Sequence, residues 1–165
     1  MSGGIVIVLI GLSVTGIAAT TQKANTTLTS QVENDTVYTF NGARVLLPKN
    51  KPDLFVAWWC PHCHAALQQL KAEHDLDRFN LISVYASGDT STPITSWRQV
   101  KALTSESLHQ LNVSIPTDHI FLAMPSSPLN MQIQRVPTLW KFRSTSVDTL
   151  VGTPANANVW SKWLG

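Results

Sequence analysis

The sequence contains very little cysteine: among 165 residues only Cys60 and Cys63 occur. Two cysteines are too few for the multi-disulfide framework of small secreted domains, and too few for a four-cysteine zinc site. Because only two residues separate them, we expect the two cysteines to act together.

Charged side chains are also scarce, at 13% of the residues. The 12 Lys and Arg exceed the 10 Asp and Glu only slightly, which leaves a net charge of +2 with His neutral. So small an excess does not supply the basic face that nucleic-acid binding requires, and no nucleic-acid partner is predicted. Apolar residues make up 44% and include six Trp, enough for one sizeable core.

The beginning of the chain has no charged side chain before Lys23. The apolar run Ile5–Ala19 has 15 residues, closer to a signal-peptide core than to a bilayer span of roughly 20. Gly16 and Ala18 are the small residues that precede a cleavage site, and an uncleaved anchor is the alternative. The positive-inside rule leaves the orientation open. We predict that residues 1–21 are a signal peptide or an N-terminal membrane anchor, with a periplasmic or other extracytoplasmic location.

The folded domain is expected to begin after a polar stretch. Residues 22–36 are rich in Thr, Asn, Gln and Ser without apolar periodicity, which predicts a linker. The domain is then predicted over residues 37–165. It starts with a short hairpin around Asn41-Gly42, a strong turn signal.

Strand and helix patterns alternate in the middle of the domain. The apolar residues 54–59 predict a buried central strand, and Pro61 opens a helix whose apolar spacing continues to His74. A strand over 81–85 and a helix over 94–111 follow. This order predicts parallel strands joined by right-handed crossovers.

The last third of the chain has a different pattern. Residues 112–134 contain several prolines and predict an inserted loop with a short strand over 120–124. Strands over 138–142 and 147–151 predict an antiparallel hairpin, and a final helix is expected over 154–164. Together the patterns predict an α/β domain with a central mixed sheet flanked by helices.

The run Cys60-Pro61-His62-Cys63 falls where the central strand leads into a helix. Cysteines at i and i+3 can form a disulfide, which predicts a redox-active pair that needs no cofactor. The helix N-terminus favours the Cys60 thiolate, so Cys60 is the expected nucleophile, and the more buried Cys63 is the expected resolving thiol. A hydrogen bond or positive charge from His62 stabilises the thiolate and makes the disulfide more oxidising.

These residues resemble the thioredoxin superfamily: a strand ending in Trp59, then CPHC opening a helix, and the distant Val136-Pro137-Thr138 heading a strand. CPHC is the form found in periplasmic thiol oxidases of the DsbA type. The resemblance implies a thioredoxin-like fold, a cis Pro137 facing the disulfide, a Val136 backbone free to pair with substrate, and Trp59 in the substrate groove. It also implies substrate proteins with thiols or disulfides, and a membrane redox partner.

The chain departs from that family's pattern in three respects. Leu54 stands where the family places a proton-accepting acid, and the neighbouring Asp53 is expected on the other strand face. The long interval from Cys63 to Pro137 predicts an inserted segment before the cis-proline strand. The chain is too short for the helical insertion of the DsbA type, so a compact exported protein of the TrbB or TlpA type fits better. The oxidase or isomerase direction is favoured.

The same residues are also compatible with two other functions, haem attachment and metal binding. The run Cys60–His64 matches C-x-x-C-H, the attachment sequence for c-type haem, with Met124 or Met131 as a second axial ligand. The cysteines and His64, with His62 or His119, form a ligand set for copper or zinc, as in a copper-binding thioredoxin-like chaperone. The main expectation remains a dithiol enzyme without metal or haem, in which His64 is a solvated residue of the first helical turn.

Overall fold

The structure is a computed structural model that describes residues 20–23, 35–85 and 93–165, the first of these as backbone alone. The predicted signal peptide or anchor therefore lies outside the described residues, except for its last two positions. In the ranges that are described, no helix is long and apolar enough to cross a membrane.

One mixed sheet of eight strands organises the described part of the chain, in the order β1-β8-β7-β4-β5-β6-β2-β3. Strands β4, β5 and β6 run parallel to one another, and the remaining neighbours are antiparallel. The sheet confirms the predicted fold class. The strands are β1 Thr20–Lys23, β2 Thr36–Thr39, β3 Arg44–Leu46, β4 Asp53–Val56, β5 Asn80–Ser83, β6 Ile120–Leu122, β7 Thr138–Phe142 and β8 Val147–Val151.

Helices accompany this sheet and begin at identifiable caps. Ser96 and Gln99 form a reciprocal capping box, in which the Ser96 hydroxyl accepts from the Gln99 amide and the Gln99 side chain accepts from the Ser96 amide. This cap begins its helix three residues after the predicted start. The helices are α1 Pro61–Ala72, α2 Trp97–Gln110, α3 Leu129–Gln132 and α4 Asn158–Leu164, with a 3-10 turn at Thr117–His119.

Strand β4 lies at the centre of the core, and all four of its residues are buried. It pairs with β5 on one side and with β7 on the other. Because side chains alternate between faces, Phe55 packs edge-on against Trp140 at 4.6 Å, whereas Val56 faces the helices α1 and α2. The predicted strand through Trp59 is too long, because the chain turns at Ala57–Cys60 with a hydrogen bond from the Cys60 amide to the Ala57 carbonyl (3.1 Å).

The hairpin predicted around Asn41-Gly42 is confirmed by the antiparallel pair β2–β3. Gly42 has a φ of +89°, and a Cβ at this position would overlap the ring of Trp97. Glycine is therefore required here both by backbone conformation and by the close approach of an aromatic ring.

Two other predicted boundaries are wrong. Helix α1 ends before His74, which has a φ of +60°, and the Asp75 amide bonds back to the Leu70 carbonyl at 2.9 Å. Helix α4 begins at Asn158, four residues after the predicted start. The short strand predicted over 120–124 is confirmed as β6, but it lies inside the sheet between β5 and β2, and the predicted loop around it also contains α3.

The predicted linker over residues 22–36 is wrong at both of its ends. Strand β1 pairs with β8 at the edge of the sheet, and Thr36 belongs to β2. Asp35 is buried at 4% exposure. Edge pairing uses backbone groups, so a polar strand without apolar periodicity gives no sequence signal. The middle of the predicted linker, residues 24–34, lies outside the described residues.

Candidate active site

The dithiol lies at the start of α1, as the sequence predicts. Cys60 is the N-cap residue, with an extended backbone (φ −84°, ψ 114°), and Pro61 occupies the first helical turn. The first helical hydrogen bond runs from the His64 amide to the Cys60 carbonyl at 3.1 Å. The side chains of Pro61 and His62 are exposed. The Cys60 sulfur is therefore placed at the positive end of the helix.

The two cysteines differ in access to solvent. Both are free thiols; Cys60 is 4% exposed and Cys63 is fully buried. The Cys63 sulfur accepts a hydrogen bond from the Ala57 amide at 3.5 Å. Of the two cysteines, only Cys60 keeps any exposed surface, and its role as the attacking thiol stays a prediction.

The pKa of the Cys60 thiol is lowered from 9.0 to about 6. The largest cause is a hydrogen bond from the Cys63 thiol, and burial opposes it. The backbone amides of Cys63 and His62 lower the pKa further, and the charge of the His62 ring is the smallest cause. A low thiol pKa at a helix N-terminus is typical of a reactive cysteine.

The pKa of Cys63 is shifted upward, in the opposite direction. Burial is the main cause, and the hydrogen bond that Cys63 donates to Cys60 also holds the proton on Cys63. The pair is therefore asymmetric at neutral pH, with the charge on Cys60 and the proton on Cys63.

The segment before β7 lies next to the dithiol, because β7 runs antiparallel to β4 and begins beside the end of β4. The Val136–Pro137 peptide bond is cis, which confirms the prediction from the resemblance. The Val136 carbonyl oxygen lies 3.7 Å from the Cys60 sulfur, and Pro137 is buried. Residues separated by 76 positions in the chain thus meet at the reactive sulfur.

The two residues after β8 link the start of α1 to the cis-proline segment, and the sequence analysis missed these contacts. The Gly152 amide donates to the Pro137 carbonyl at 2.8 Å, and the Thr153 hydroxyl donates to the His62 carbonyl at 2.8 Å. Both contacts use backbone carbonyls of segments that are distant in sequence, so no residue pattern could have indicated them.

Trp59, next to Cys60, is half-buried. Its indole N–H is shielded from solvent and has no acceptor among the described residues. The neighbouring Trp58 packs instead against Tyr85, with ring centroids 5.7 Å apart. The expected place of Trp59 in a substrate groove stays a prediction.

The carboxyl group of Asp53 is fully buried at the start of β4. Asn80 donates to one carboxyl oxygen at 2.9 Å, and the other oxygen has no partner in the described part of the chain. Burial raises the Asp53 pKa well above 3.8, opposed by the Asn80 hydrogen bond and by the charge of Lys49. Strand alternation places Asp53 and the fully buried Leu54 on opposite faces of β4, as expected.

His64 is not the solvated residue that the sequence analysis expected. It is half-buried, and its Nε2 lies 2.7 Å from the Trp58 carbonyl oxygen. In the run Cys60–His64, Cys63 is thus fully buried and the His64 ring is engaged with a backbone carbonyl, while the haem alternative stays a prediction.

The cysteine and histidine side chains considered as copper or zinc ligands do not form a cluster in the described part of the chain. His119 contacts the Lys51 ammonium group at 3.0 Å, in the 3-10 turn before β6. Across residues 35–85 and 93–165, no three His, Cys, Asp or Glu side chains are grouped so that they could hold a metal ion.

Comparisons with known proteins bear on the fold. No protein-family model matches the chain, and no curated protein sequence matches it. A secreted disulfide oxidoreductase from Mycobacterium tuberculosis, described as homologous to E. coli DsbE, matches with a TM-score of 0.50 and 16% identity. The match covers 81% of this chain and 96% of that one.

Two further structures match slightly less well. StoA from Bacillus subtilis has a TM-score of 0.48 and 17% identity, over 79% of this chain and 95% of that one. The M. tuberculosis DsbF, in mixed oxidized and reduced forms, has a TM-score of 0.48 and 13% identity, over 81% of this chain and 94% of that one. With the mixed sheet, the dithiol at the start of α1 and the cis-proline beside it, the first match shows that this chain has a thioredoxin-like fold.

Proposed function

We propose that this protein is a thiol–disulfide oxidoreductase that acts on protein thiols and disulfides outside the cytoplasm, with the oxidase or isomerase direction favoured. The observation that carries the proposal is the asymmetric pair: a Cys60 thiol with a pKa of about 6 lies beside Val136 and the cis-Pro137, with Cys63 buried behind it. The fold, shared with a secreted disulfide oxidoreductase, supports this function.

In the oxidising direction the protein starts with a Cys60–Cys63 disulfide. A substrate thiolate attacks the Cys60 sulfur, the bond between the two cysteines breaks, and Cys63 leaves as a thiolate that takes up a proton. A second substrate thiolate then attacks the substrate sulfur of the mixed disulfide, forms the substrate disulfide and releases the Cys60 thiolate. Two electrons pass from the substrate to the cysteine pair, which needs no further cofactor.

The reductive direction uses the same bonds in reverse. The Cys60 thiolate attacks a substrate disulfide, and Cys63 resolves the mixed disulfide. A stabilised Cys60 thiolate favours the reduced pair and therefore makes its disulfide a better oxidant. A pKa of about 6 lies between that of a typical reductant, roughly 7, and that of a strong oxidant, roughly 3.5. The lowered Cys60 pKa and the position of His62 between the two cysteines are why the oxidase or isomerase direction is favoured.

Substrate is proposed to bind as an extended segment along Val136 and Pro137. The Val136 carbonyl oxygen is already within 3.7 Å of the Cys60 sulfur, so a substrate cysteine that reaches this sulfur must lie next to the Val136 backbone. Extended segments bind such backbone through main-chain hydrogen bonds, which accept many sequences. Trp59 is proposed to line the same groove.

The proposed compartment follows from the charge-free apolar run Ile5–Ala19 and from the redox chemistry. A disulfide that serves as an oxidant persists in oxidising compartments such as the periplasm. A membrane redox partner is proposed to reset the pair after each turnover, since the enzyme would otherwise stop after one reaction.

A redox titration against glutathione tests the proposal, with Trp58 and Trp59 fluorescence reporting the state of the pair. A two-electron transition between roughly −120 and −200 mV supports an oxidase or isomerase, and one below about −250 mV indicates a reductase. No dithiol transition would contradict the proposed function. A haem absorbance band would then favour the alternative that uses the CPHCH run, and bound copper would favour the chaperone.

A further inference from the structure

The turn Ala57–Cys60 connects β4 to α1 and is closed by the hydrogen bond from the Cys60 amide to the Ala57 carbonyl at 3.1 Å. The peptide group between Trp58 and Trp59 is the central peptide of this turn. Two common turn types differ mainly in which way the central peptide faces, and that peptide makes no hydrogen bond within the turn. The Trp58 carbonyl oxygen of this peptide therefore has no partner within the turn and can accept hydrogen bonds from outside it.

Two side chains converge on the carbonyl oxygen of this peptide. The Nε2 atom of His64 lies 2.7 Å from the Trp58 oxygen, and the hydroxyl of Ser107 donates to the same oxygen at 3.3 Å. The Ser107 oxygen also lies 3.3 Å from His64 Nε2. Because a carbonyl oxygen only accepts hydrogen bonds, the His64 ring must carry a proton on Nε2.

The orientation of the turn matters for both sulfurs. The Ala57 amide, at the first position of the turn, donates to the Cys63 sulfur, and Cys60 at its last position is the N-cap residue of α1. His64 and Ser107 come from different helices, α1 and α2, so together they tie the turn to the helical layer.

We propose that His64 is a positioning residue for the dithiol: with Ser107 it fixes the central peptide of the Ala57–Cys60 turn and so holds Cys60 in its reactive geometry. This inference rests on the proposed function. It gives the last residue of the CPHCH run a role that requires neither haem nor metal.

The test compares three substitutions in the full chain, each measured for the Cys60 pKa by thiolate absorbance and for the rate of exchange with a peptide disulfide at pH 6. His64→Leu removes the donor. It is expected to raise the Cys60 pKa by about one unit and to slow exchange about tenfold, because small misplacement of a reacting group is costly. His64→Gln keeps an N–H donor of similar reach and is expected to restore the rate to within about threefold of the native value. Ser107→Ala is expected to shift both quantities in the same direction by a smaller amount.

The matched control is His109→Gln, since His109 is an exposed histidine on the same helix as Ser107. It should leave the Cys60 pKa and the exchange rate unchanged. A folded His64→Leu protein with the native pKa and rate, even with a lowered Tm, would show that His64 only supports the fold, and the proposal would be wrong.

A measurement on the native protein keeps the test decisive if His64→Leu does not fold. Nitrogen-15 NMR of the His64 ring is expected to show a proton on Nε2, and a neutral ring protonated only on Nδ1 would overturn the proposal. The Cys60 pKa can be measured without any substrate. If the native protein has the lowered Cys60 pKa but no redox transition, the proposed function is wrong. The role of His64 would still be decided by the effect of His64→Leu on the Cys60 pKa.

Discussion

Two buried ionisable groups, one at the start of β4 and one just beyond its end, have pKa values shifted in opposite directions. Beyond the end of β4, the Cys60 thiol has its pKa lowered to about 6. At the start of β4, the Asp53 carboxyl has its pKa raised well above 3.8. Both residues are at most 4% exposed, so burial alone does not explain the difference.

The pKa values of Cys60 and Asp53 differ because different numbers of hydrogen-bond donors face the two groups. Cys60 has one thiol donor and two backbone N–H groups at a helix N-terminus, whereas Asp53 has one amide donor and a second oxygen without a described partner. Donors lower the free energy of the charged form, and burial without them raises it. The same core therefore holds an activated thiolate at one position and a carboxyl that resists ionisation at the other.

The largest effect is expected from removing the activated sulfur. Cys60→Ser should slow thiol–disulfide exchange by more than about a thousandfold, because no thiolate remains to react. Cys63→Ser should instead accumulate a mixed disulfide between Cys60 and substrate, visible on non-reducing gels and by mass spectrometry. Undiminished exchange in the Cys60→Ser protein would contradict the assignment of the nucleophile.

The next largest effect is expected from removing the Cys63 thiol, the hydrogen-bond donor to Cys60 that has no counterpart at Asp53. Cys63→Ala should raise the Cys60 pKa by roughly one to two units, since it removes the largest cause of the lowered value. Cys63→Ser keeps a hydroxyl donor and is the matched control, for which a smaller rise is expected. Thiolate absorbance against pH measures both, and equal pKa values in the two variants would disprove the role of the donor.

At the other end of β4, Asp53→Asn should increase the free energy of unfolding at pH 8 by about 1–2 kcal/mol. The Asp53 pKa is raised in the folded state, so the folded protein binds this proton more tightly than the unfolded chain does. The native protein therefore loses stability as the pH rises from about 4 through the raised pKa. The gain from Asn should vanish near pH 3.5, where both states hold the proton.

Urea unfolding of the reduced protein at the two pH values measures this difference. Asp118→Asn is the matched control, because Asp118 is exposed in the 3-10 turn before β6 and should give no pH-dependent gain. An Asp53→Asn protein that is less stable than the native one at pH 8 would show that the buried carboxylate is compensated.

The smallest effect is expected from the His62 ring. His62→Gln removes the ring charge but keeps the backbone amide that faces Cys60. The ring is the smallest of the causes, so the Cys60 pKa should rise by less than one unit and the redox potential should shift by less than about 30 mV. A shift as large as that of Cys63→Ala would mean that the His62 ring contributes as much to activating Cys60 as the Cys63 thiol does.

Features set by neighbouring residues were predictable from the sequence. The Asn41-Gly42 hairpin, the helix opening at Pro61 and the β7–β8 hairpin all follow from local turn, cap and periodicity rules, and the structure has them. Strand β1 and the interior position of β6 were missed. A polar edge strand and the position of a strand within a sheet both depend on the partner strands, which no local sequence pattern indicates.

Within the site, the same distinction holds. The sequence by itself determined that Cys60 and Cys63 lie close together, because residues at i and i+3 share one helical turn. Three other features depend on how β4, β7, α1 and α2 pack. They are the approach of Val136 to Cys60, the complete burial of Cys63 and Asp53, and the hydrogen bonds from His64 and Ser107 to the Trp58 carbonyl. Only the tertiary structure decided these, because burial and long-range hydrogen bonds exist only after distant segments meet, and they set which group carries charge.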